Sequence, residues 1–414
     1  MPAGDLVVRV RERLAAAGTP PGPDAVAAAA AAQGVVLGAA DLLRLVDDVR
    51  AALTGAGPLQ PLLRVPGVTD VLVNGGGEVW VDDGAGLRPA PVRLEGEEQV
   101  RALAVRLAAG AGRRLDEASP FTDARLADGT RLHAVLPPLA VDGTHLSLRV
   151  PAVRRFGLPE LVAAGAVPPA WEPLLRTVVG RRLSLLVSGG TGAGKTTLLQ
   201  ALLGLVGPGE RIVLVEDSGE LRPDHPHVVR LEARHGNVEG RGAVGLDVLV
   251  RQALRMRPDR LVVGECRGAE VRDLLAALNT GHAGGAGTLH ANTAADVPAR
   301  LHALAAAAGL SAAAVDAQLL AGVDVVLHVA RRGRRRALAE VAVVVADDGG
   351  RARVVPALVL DRAGRPHRAP GWEVLAARLG AEALAGADGC ADGCADGCAD
   401  GQPDGVADGA GGPA

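Results

Sequence analysis

The sequence predicts an α/β fold in which a small α+β region precedes a larger region with a parallel sheet. The 414 residues exceed one ordinary domain, and 48% hydrophobic with 22% charged residues exclude a wholly disordered chain. Short alternating strands are predicted between residues 57 and 150, whereas continuous apolar runs alternate with helical segments after residue 181. Apolar runs of that kind are typical of strands covered on both faces.

The N-terminal residues 1–56 are predicted to form a helical extension. Amphipathic periodicity favours helices over 5–17 and 38–53, with a Gly/Pro-rich gap between them. The first residues, MPAGDLVVRVRER, lack a basic segment followed by an apolar core, so we expect no secretory signal. No apolar stretch reaches the ~18–20 uncharged residues of a membrane span. We therefore expect a cytoplasmic chain.

Residues 57–150 are predicted to form a small α+β domain. VTDVLVN (68–74) and EVWVDD (78–83) predict a hairpin, because three glycines separate them. A helix that ends in glycine is predicted over 96–112. Further strands are predicted at 123–128, 130–136 and 145–150.

A linker, 151–180, that is interrupted by Pro159, Pro168 and Pro169 is predicted to lead into the larger α/β domain, 181–346. The strands of this domain are predicted at 182–188, 211–216, 227–232, 260–265, 323–330 and 337–346, with a helix-rich stretch at 296–321. A C-terminal extension (347–385) and a disordered low-complexity tail (386–414) follow. The tail repeats Ala-Asp-Gly-Cys three times, but no histidine accompanies these cysteines, so we favour disorder over metal binding for Cys390, Cys394 and Cys398.

A phosphate-binding loop is predicted where an apolar strand meets an apolar-periodic helix, in SLLVSGGTGAGKTTLLQALL (184–203). The segment has the Walker A spacing, in which glycines let backbone N–H groups turn toward phosphate oxygens. Lys195 is the only lysine among 44 basic residues, and the planar fork of arginine does not replace a compact ammonium. The nucleotide-binding residues are predicted to be Gly189, Gly190, Thr191, Gly192, Ala193, Gly194, Lys195, Thr196 and Thr197.

The predicted cofactors are ATP and Mg²⁺, with Lys195 reaching the β/γ-phosphates and Thr196 coordinating the metal. Two neighbouring predicted strands end in carboxylates, Glu216 in RIVLVEDSGEL (211–221) and Glu265 in RPDRLVVGECRGAE (257–270). Acids at such positions hold Mg²⁺ or orient the attacking water, although each alone could be a solvated strand-end acid. The metal-binding set is predicted to be Thr196, Glu216 and Glu265.

Two histidines lie in the glycine-rich stretch NTGHAGGAGTLHAN (279–292). Packing rarely requires an imidazole in such a stretch, so His282 and His290 are candidates for a polar sensor of the γ-phosphate.

Four motifs occur in the order seen in one known family. They are the Walker A loop, the acidic box VEDSGEL, the segment LRMRPDRLVVGECRG (a Walker B segment without its aspartate) and the histidine box NTGHAGGAGTLHAN. The chain resembles type II/type IV secretion ATPases, and most of all their TadA or CpaF branch, which is associated with tight-adherence pili and conjugal transfer. The resemblance runs from about Gly57 to about residue 345.

The resemblance implies a RecA-like P-loop ATPase domain that follows a PAS-like α+β domain, in a homohexamer. It also implies a motor at the cytoplasmic face of the membrane that powers pilus assembly or secretion, with an inner-membrane platform protein as partner. By position, Arg131 and Arg149 match arginines that approach the phosphates, and His290 matches the histidine of the T-x-H-A-N segment. The catalytic set it implies is Lys195, Glu265, Glu216, His290, Arg131 and Arg149.

The chain departs from the family pattern at two places. The usual Asp-Gly-Ser after NTGH is replaced by Ala283-Gly284-Gly285, and Cys266 occupies a position that is usually aliphatic. Neither change touches the Walker A loop or the two glutamates, so we expect turnover to persist.

Two other functions stay open, a DNA-translocating motor for conjugal transfer and a non-hydrolysing nucleotide-dependent regulatory module. The net charge of −3 and the 1% of aromatic residues disfavour nucleic acid as a partner. A regulatory module predicts loss of the strand-end acids, yet both glutamates are present. The arginine-rich segment 330–337 allows peripheral association with anionic lipid, although a solvated turn is the favoured interpretation.

Overall fold

The computed structural model describes residues 3–53, 55–151, 156–234, 242–332, 335–361 and 363–380. They form two compact units, one within Met1–Arg155 and Ala233–Gly245 and the other within Phe156–Glu232 and Leu246–Ala414. The predicted disordered tail and its cysteine repeats lie outside the described residues. None of the helices in the described ranges combines the length and apolarity needed to cross a bilayer.

The first unit begins with three helices, α1 (Ala3–Ala16), α2 (Pro23–Ala31) and α3 (Ala39–Leu53). Helices α1 and α3 confirm the two predicted amphipathic helices, whereas α2 lies in the predicted gap. Pro23 stands in the first turn of α2, where its missing N–H costs no hydrogen bond, and a run of alanines with high helix propensity follows. Val10, Val26 and Val49 are fully buried and join the three helices in one core.

A six-stranded antiparallel sheet forms the rest of the first unit, in the order β3-β2-β1-β6-β5-β4. Its strands are β1 (Asp70–Asn74), β2 (Glu78–Asp82), β3 (Leu87–Arg93), β4 (Phe121–Arg125), β5 (Arg131–Val135) and β6 (His145–Arg149). Strands β1 and β2 pair as the predicted hairpin. The short helix α4 (Gln60–Leu63), which follows a 3₁₀ turn at Gly57–Leu59, and α5 (Gly96–Gly110) contribute to the same core as the sheet. Strand β3 was not predicted, because this edge strand has no buried side chain and contains two prolines.

A nine-stranded mixed sheet forms the centre of the second unit, in the order β15-β14-β13-β12-β7-β11-β10-β8-β9. Its strands are β7 (Leu185–Gly189), β8 (Ile212–Glu216), β9 (Val228–Glu232), β10 (Arg260–Cys266), β11 (Ala286–Leu289), β12 (Val325–Arg332), β13 (Arg335–Ala346), β14 (Ala352–Leu360) and β15 (Pro366–Arg368). The strands from β12 to β9 are parallel to their neighbours, and β13, β14 and β15 are added antiparallel.

Helices cover both faces of this sheet. They are α6 (Leu158–Ala163), α7 (Glu172–Gly180), α8 (Lys195–Leu203), α9 (Leu246–Ala253), α10 (Glu270–Asn279), α11 (Val297–Ala306), α12 (Ala312–Gly322) and α13 (Trp372–Leu379), with 3₁₀ turns at Pro169–Trp171 and Leu254–Met256. Leu185 and Val187 of β7 face a core with α6, α7, α8 and α13, while Leu186 faces a core with α9 to α12. The continuous apolar run of β7 therefore reflects burial on both faces.

Three segments of the second unit differ from the sequence-based expectation. The expected linker 151–180 contains α6 and α7, and Trp171 between them is fully buried in the core. The sheet continues past the expected boundary at 346, because β14 pairs with β13. Strand β11 lies inside the histidine box, where small residues are required because a Cβ on Gly287 would lie 2.9 Å from Leu274 of α10. Its glycine-rich composition concealed this strand.

Candidate functional site

The predicted site lies at the edge of the second sheet where its parallel strands end. Strand β7 ends at Gly189, β8 at Glu216, β10 at Cys266 and β11 at Leu289. Ligands of open α/β sheets bind outside these carboxyl ends. The structure thus brings residues 189–194, called the glycine loop below, to the same edge as the ends of the acid-bearing strands.

The glycine loop is fixed at its base and open at its tip. Gly194 has a φ of +104° at the N-cap of α8, a conformation that glycine adopts without the steric cost of a Cβ. A Cβ on Gly189 would lie 2.3 Å from the carbonyl oxygen of Val329 on β12. Residues 190–192 are exposed. The sequence requirement for glycine therefore comes from close approach to β12 at one end of the loop and from the turn into α8 at the other.

Lys195 lies under the glycine loop, with only 7% of its surface exposed. Its Nζ donates to the carbonyl oxygens of Gly189 and Gly190, each at 3.1 Å, and lies 3.3 Å from Nδ1 of His290. Burial lowers the pKa of Lys195, and the carboxylate of Glu265 opposes this effect. The ammonium is therefore held in one place rather than extended into solvent.

Glu216, the last residue of β8, is buried against β10, with 4% of its surface exposed. Its Oε1 accepts the backbone N–H groups of Glu220 and Leu221, both at 2.9 Å. Burial raises the pKa of Glu216, although these two N–H donors favour the ionised form. A Cβ on Gly264 of β10 would lie 2.7 Å from Cγ of Glu216. Glycine at that position therefore provides the space for the acid on the adjacent strand.

Glu265 at the end of β10 is held by His290 and Arg267. Nε2 of His290 contacts Oε1 of Glu265, and Nε of Arg267 donates to Oε2 at 2.7 Å. Burial lowers the pKa of His290, and the ammonium of Lys195 lowers it further. A neutral ring suits both contacts, because Nε2–H faces the carboxylate of Glu265 while Nδ1 faces the ammonium of Lys195. His290 thus connects the lysine of the glycine loop to a strand-end carboxylate.

The start of α8 offers oxygen ligands for a metal. Thr196 and Thr197 are half-buried, and Oγ1 of Thr196 lies 3.5 Å from Oε2 of Glu220. Within the described ranges, no three or more His, Cys, Asp or Glu side chains are grouped so that they could hold a metal. Mg²⁺ at phosphate sites takes one or two protein oxygens and completes its shell with phosphate and water. These residues therefore fit a Mg²⁺ ion that binds together with a nucleotide.

Arg131 and Arg149 lie side by side in the first unit. They are directly opposite each other on β5 and β6, and opposite side chains of paired strands lie on the same face. Nε of Arg149 donates to Oδ1 of Asp70 at 3.1 Å. The structure brings the two predicted arginines together, and their approach to the phosphates stays a prediction.

His282 does not join the site, which corrects the sensor hypothesis for this residue. It precedes β11, whereas His290 follows that strand. Four strand residues span on the order of 13 Å, so the two histidines lie at opposite edges of the sheet. Both were predicted to lie in one glycine-rich stretch, because the small residues of β11 concealed that strand.

The turn that directs Arg267 toward Glu265 was not predicted from the sequence. Glu270 is buried, and its Oε1 accepts the N–H of Arg267 at 2.5 Å and that of Gly268 at 2.8 Å. The available signal was the run GECRGAE, in which Glu265 ends the apolar strand segment and Arg267 and Glu270 follow it. Cys266 is buried, and burial raises the pKa of its thiol.

The geometry of the second unit is typical of α/β proteins that bind phosphate groups at a glycine loop. A parallel strand, a glycine loop and a helix that begins with lysine form the arrangement by which α/β proteins bind nucleotide phosphates, and acids at neighbouring strand ends are typical of members that use Mg²⁺. The second unit has this arrangement.

Comparison with known proteins gives the family. Residues 52–356 match the family described as Type II/IV secretion system protein, and the chain belongs to this family. It is 57% identical over 321 residues to a Mycobacterium tuberculosis protein named as a conjugal transfer protein, over 76% of this chain and 91% of the relative. It is 36% identical over 259 residues to the type IV secretion system protein PtlH of Bordetella pertussis, over 57% of this chain and 76% of the relative. A VirB11 ATPase of the Brucella suis type IV secretion system, crystallised with sulphate, is 28% identical with a TM-score of 0.36, over 70% of this chain and 94% of that chain.

Proposed function

We propose that the chain is a Mg²⁺-dependent ATPase, with a RecA-like second unit and a PAS-like domain in the first. The observation that carries this proposal is the position of Lys195 under the glycine loop, with His290 between its Nζ and Glu265. There an ammonium, a neutral imidazole and a carboxylate lie together at the edge of the sheet where α/β proteins bind their ligands. This set of groups suits the terminal phosphate of a nucleotide. Family membership supports the same activity.

Each group of the glycine loop has a separate role in binding ATP. The backbone N–H groups of residues 189–194 surround phosphate oxygens, and the N-terminus of α8, including Thr197, adds the positive end of the helix dipole. Lys195 donates to the β/γ-phosphates. Thr196 with Glu216 or Glu265 would hold Mg²⁺, which when bound would neutralise negative charge on the nucleotide phosphates.

Glu265 is the group placed to orient the attacking water. Its carboxylate accepts the water proton as the water oxygen bonds to the γ-phosphorus, and the bond from that phosphorus to the ADP oxygen breaks. His290 and Arg267 fix the carboxylate through opposite oxygens. Arg131 and Arg149 then neutralise charge that develops on the γ-phosphoryl group.

Phosphate release from ATP tests this activity. The purified chain should release phosphate only with Mg²⁺, and Glu265→Gln should bind ATP while releasing phosphate at least about 100-fold more slowly, the size of a general-base contribution. Tight ATP binding without any phosphate release by the wild-type chain would instead indicate the non-hydrolysing regulatory module.

We infer that the cellular role is that of a homohexameric motor for Tad-type pilus assembly or type II/IV secretion. It would act at the cytoplasmic face of the membrane, on an inner-membrane platform protein. The resemblance of its four motifs to the TadA or CpaF branch supports the role in pilus assembly. Family membership supports a role in type II/IV secretion.

A DNA-translocating motor is the second candidate, favoured by the conjugal-transfer name of the Mycobacterium tuberculosis relative. Phosphate release measured with anionic liposomes and with single-stranded DNA separates the two roles. The membrane role predicts stimulation by liposomes alone, whereas stimulation by DNA alone would overturn the pilus assignment.

A further inference from the structure

A buried histidine lies behind the glycine loop on the strand next to β7. His328 belongs to β12 and is 4% exposed. It is in register with Ser188, and Nδ1 of its ring lies 2.9 Å from Oγ of Ser188. Ser188 directly precedes Gly189, whose carbonyl oxygen accepts from Lys195. The ring therefore binds the residue that leads into the glycine loop.

The same ring also interacts with the segment that carries His290. The backbone of Asn292, two residues after His290, lies within hydrogen-bonding reach of the His328 ring and favours its protonated form, which raises its pKa. A neutral imidazole has one donor and one acceptor, which matches these two partners. Burial lowers the pKa of His328, and nearby Lys195 lowers it further, while Asp296 raises it. One side chain thus links the segments on either side of the predicted phosphate position.

Core packing alone does not account for an imidazole at this position. The neighbours of His328 along β12, from Val325 to Val329, are apolar and buried. A buried polar ring is costly unless both of its polar atoms are paired. The partners of His328 are Ser188 and Asn292. Ser188 precedes the glycine loop and Asn292 follows His290, and both the loop and His290 contact Lys195.

We propose that His328 is a positioning residue that couples the glycine loop to His290, so that both segments respond together to the γ-phosphate. The proposal rests on the proposed function, because it assigns how the same site distinguishes ATP from ADP. His328 does not touch the nucleotide. It acts by holding Ser188 and the Asn292 segment at a fixed separation.

The test compares affinity for adenylyl imidodiphosphate, a non-hydrolysable ATP analogue, with affinity for ADP, both with Mg²⁺. His328→Leu removes both hydrogen bonds and should lower the preference for the analogue about five- to tenfold, the size of one or two lost hydrogen bonds. His328→Gln keeps one donor and one acceptor and should retain the preference. Combining His328→Leu with His290→Ala should lower the preference no further than His290→Ala alone, because both changes remove one coupled response.

His302→Gln is the matched control, since Nε2 of His302 binds Asp316 at 2.8 Å on α11 and α12. It should leave the preference unchanged. Equal weakening of both ligands by His328→Leu, or an unchanged preference, would overturn the proposal. Should His328→Leu fail to fold, Ser188→Ala removes only the hydroxyl partner and must lower the preference by itself. Absence of nucleotide binding in the wild-type chain would refute the proposed function instead.

Discussion

Replacing Lys195 with alanine removes the ammonium at the base of the glycine loop. In the structure its Nζ donates to two carbonyl oxygens and faces Nδ1 of His290. A hydrogen bond to a charged group contributes about 1.5–3 kcal/mol, and about 1.4 kcal/mol changes an affinity tenfold. Loss of one ammonium–phosphate contact therefore predicts about 10- to 150-fold weaker ATP binding. Hydrolysis should fall further, because the ammonium also stabilises charge that grows in the transition state.

Calorimetric titration with Mg²⁺ and ATP, together with phosphate release, measures both effects of Lys195→Ala. Circular dichroism should show an intact fold. Burial already disfavours the charged form of Lys195, so loss of this ammonium should not unfold the chain. Arg351→Ala is a matched control that also removes one positive charge, at a site 77% exposed and paired with Asp347. It should leave binding and turnover unchanged. Wild-type turnover in Lys195→Ala would refute the assignment of the site.

Three further predictions concern the acids of the site. Glu265→Gln should retain ATP and accumulate it unhydrolysed, which filter binding with labelled nucleotide detects; rapid release of ADP would remove Glu265 from the chemistry. Because burial raises the pKa of Glu216, this carboxyl takes up a proton at higher pH than an exposed glutamate. As the pH falls, Mg²⁺-dependent ATP binding should therefore weaken at a higher pH than an exposed glutamate would cause. The Glu216→Gln variant should lack this loss of binding, and parallel pH profiles of wild type and variant would contradict a role of Glu216 in Mg²⁺ binding. Gly264→Ala places a Cβ 2.7 Å from Cγ of Glu216, and such overpacking costs about 1–3 kcal/mol. Its melting temperature should fall by several degrees, whereas Gly209→Ala, which meets no atom within 4 Å, should melt near the wild-type temperature.

The central strands and the glycine loop could be predicted because their signals are local. Strand β7 is buried on both faces, so its apolar run is continuous and stands out from the surrounding sequence. The glycine loop depends on backbone conformation, and the glycine spacing records that requirement directly. The neighbouring carboxylates followed from the rule that parallel strands end at one edge.

The contacts of the site could not be predicted, because they depend on strand order and register. The pairing of His328 with Ser188 joins residues 140 positions apart and requires β12 to lie beside β7. The link from His290 to Glu265 likewise requires β11 to lie beside β10, and β11 itself was concealed by glycines. Helix α2 was missed for a related reason, since its alanine-rich sequence has little amphipathic contrast.

The glycine loop and Lys195 are expected to bind the phosphate tail of a nucleotide. The decisive measurement is titration of the purified wild-type chain with ATP and with AMP, each in the presence of Mg²⁺. The structure predicts one saturable site per chain for ATP, much weaker binding of AMP, and loss of ATP affinity when Mg²⁺ is chelated. Equal affinity for AMP and ATP, or no heat of binding with ATP, would contradict it.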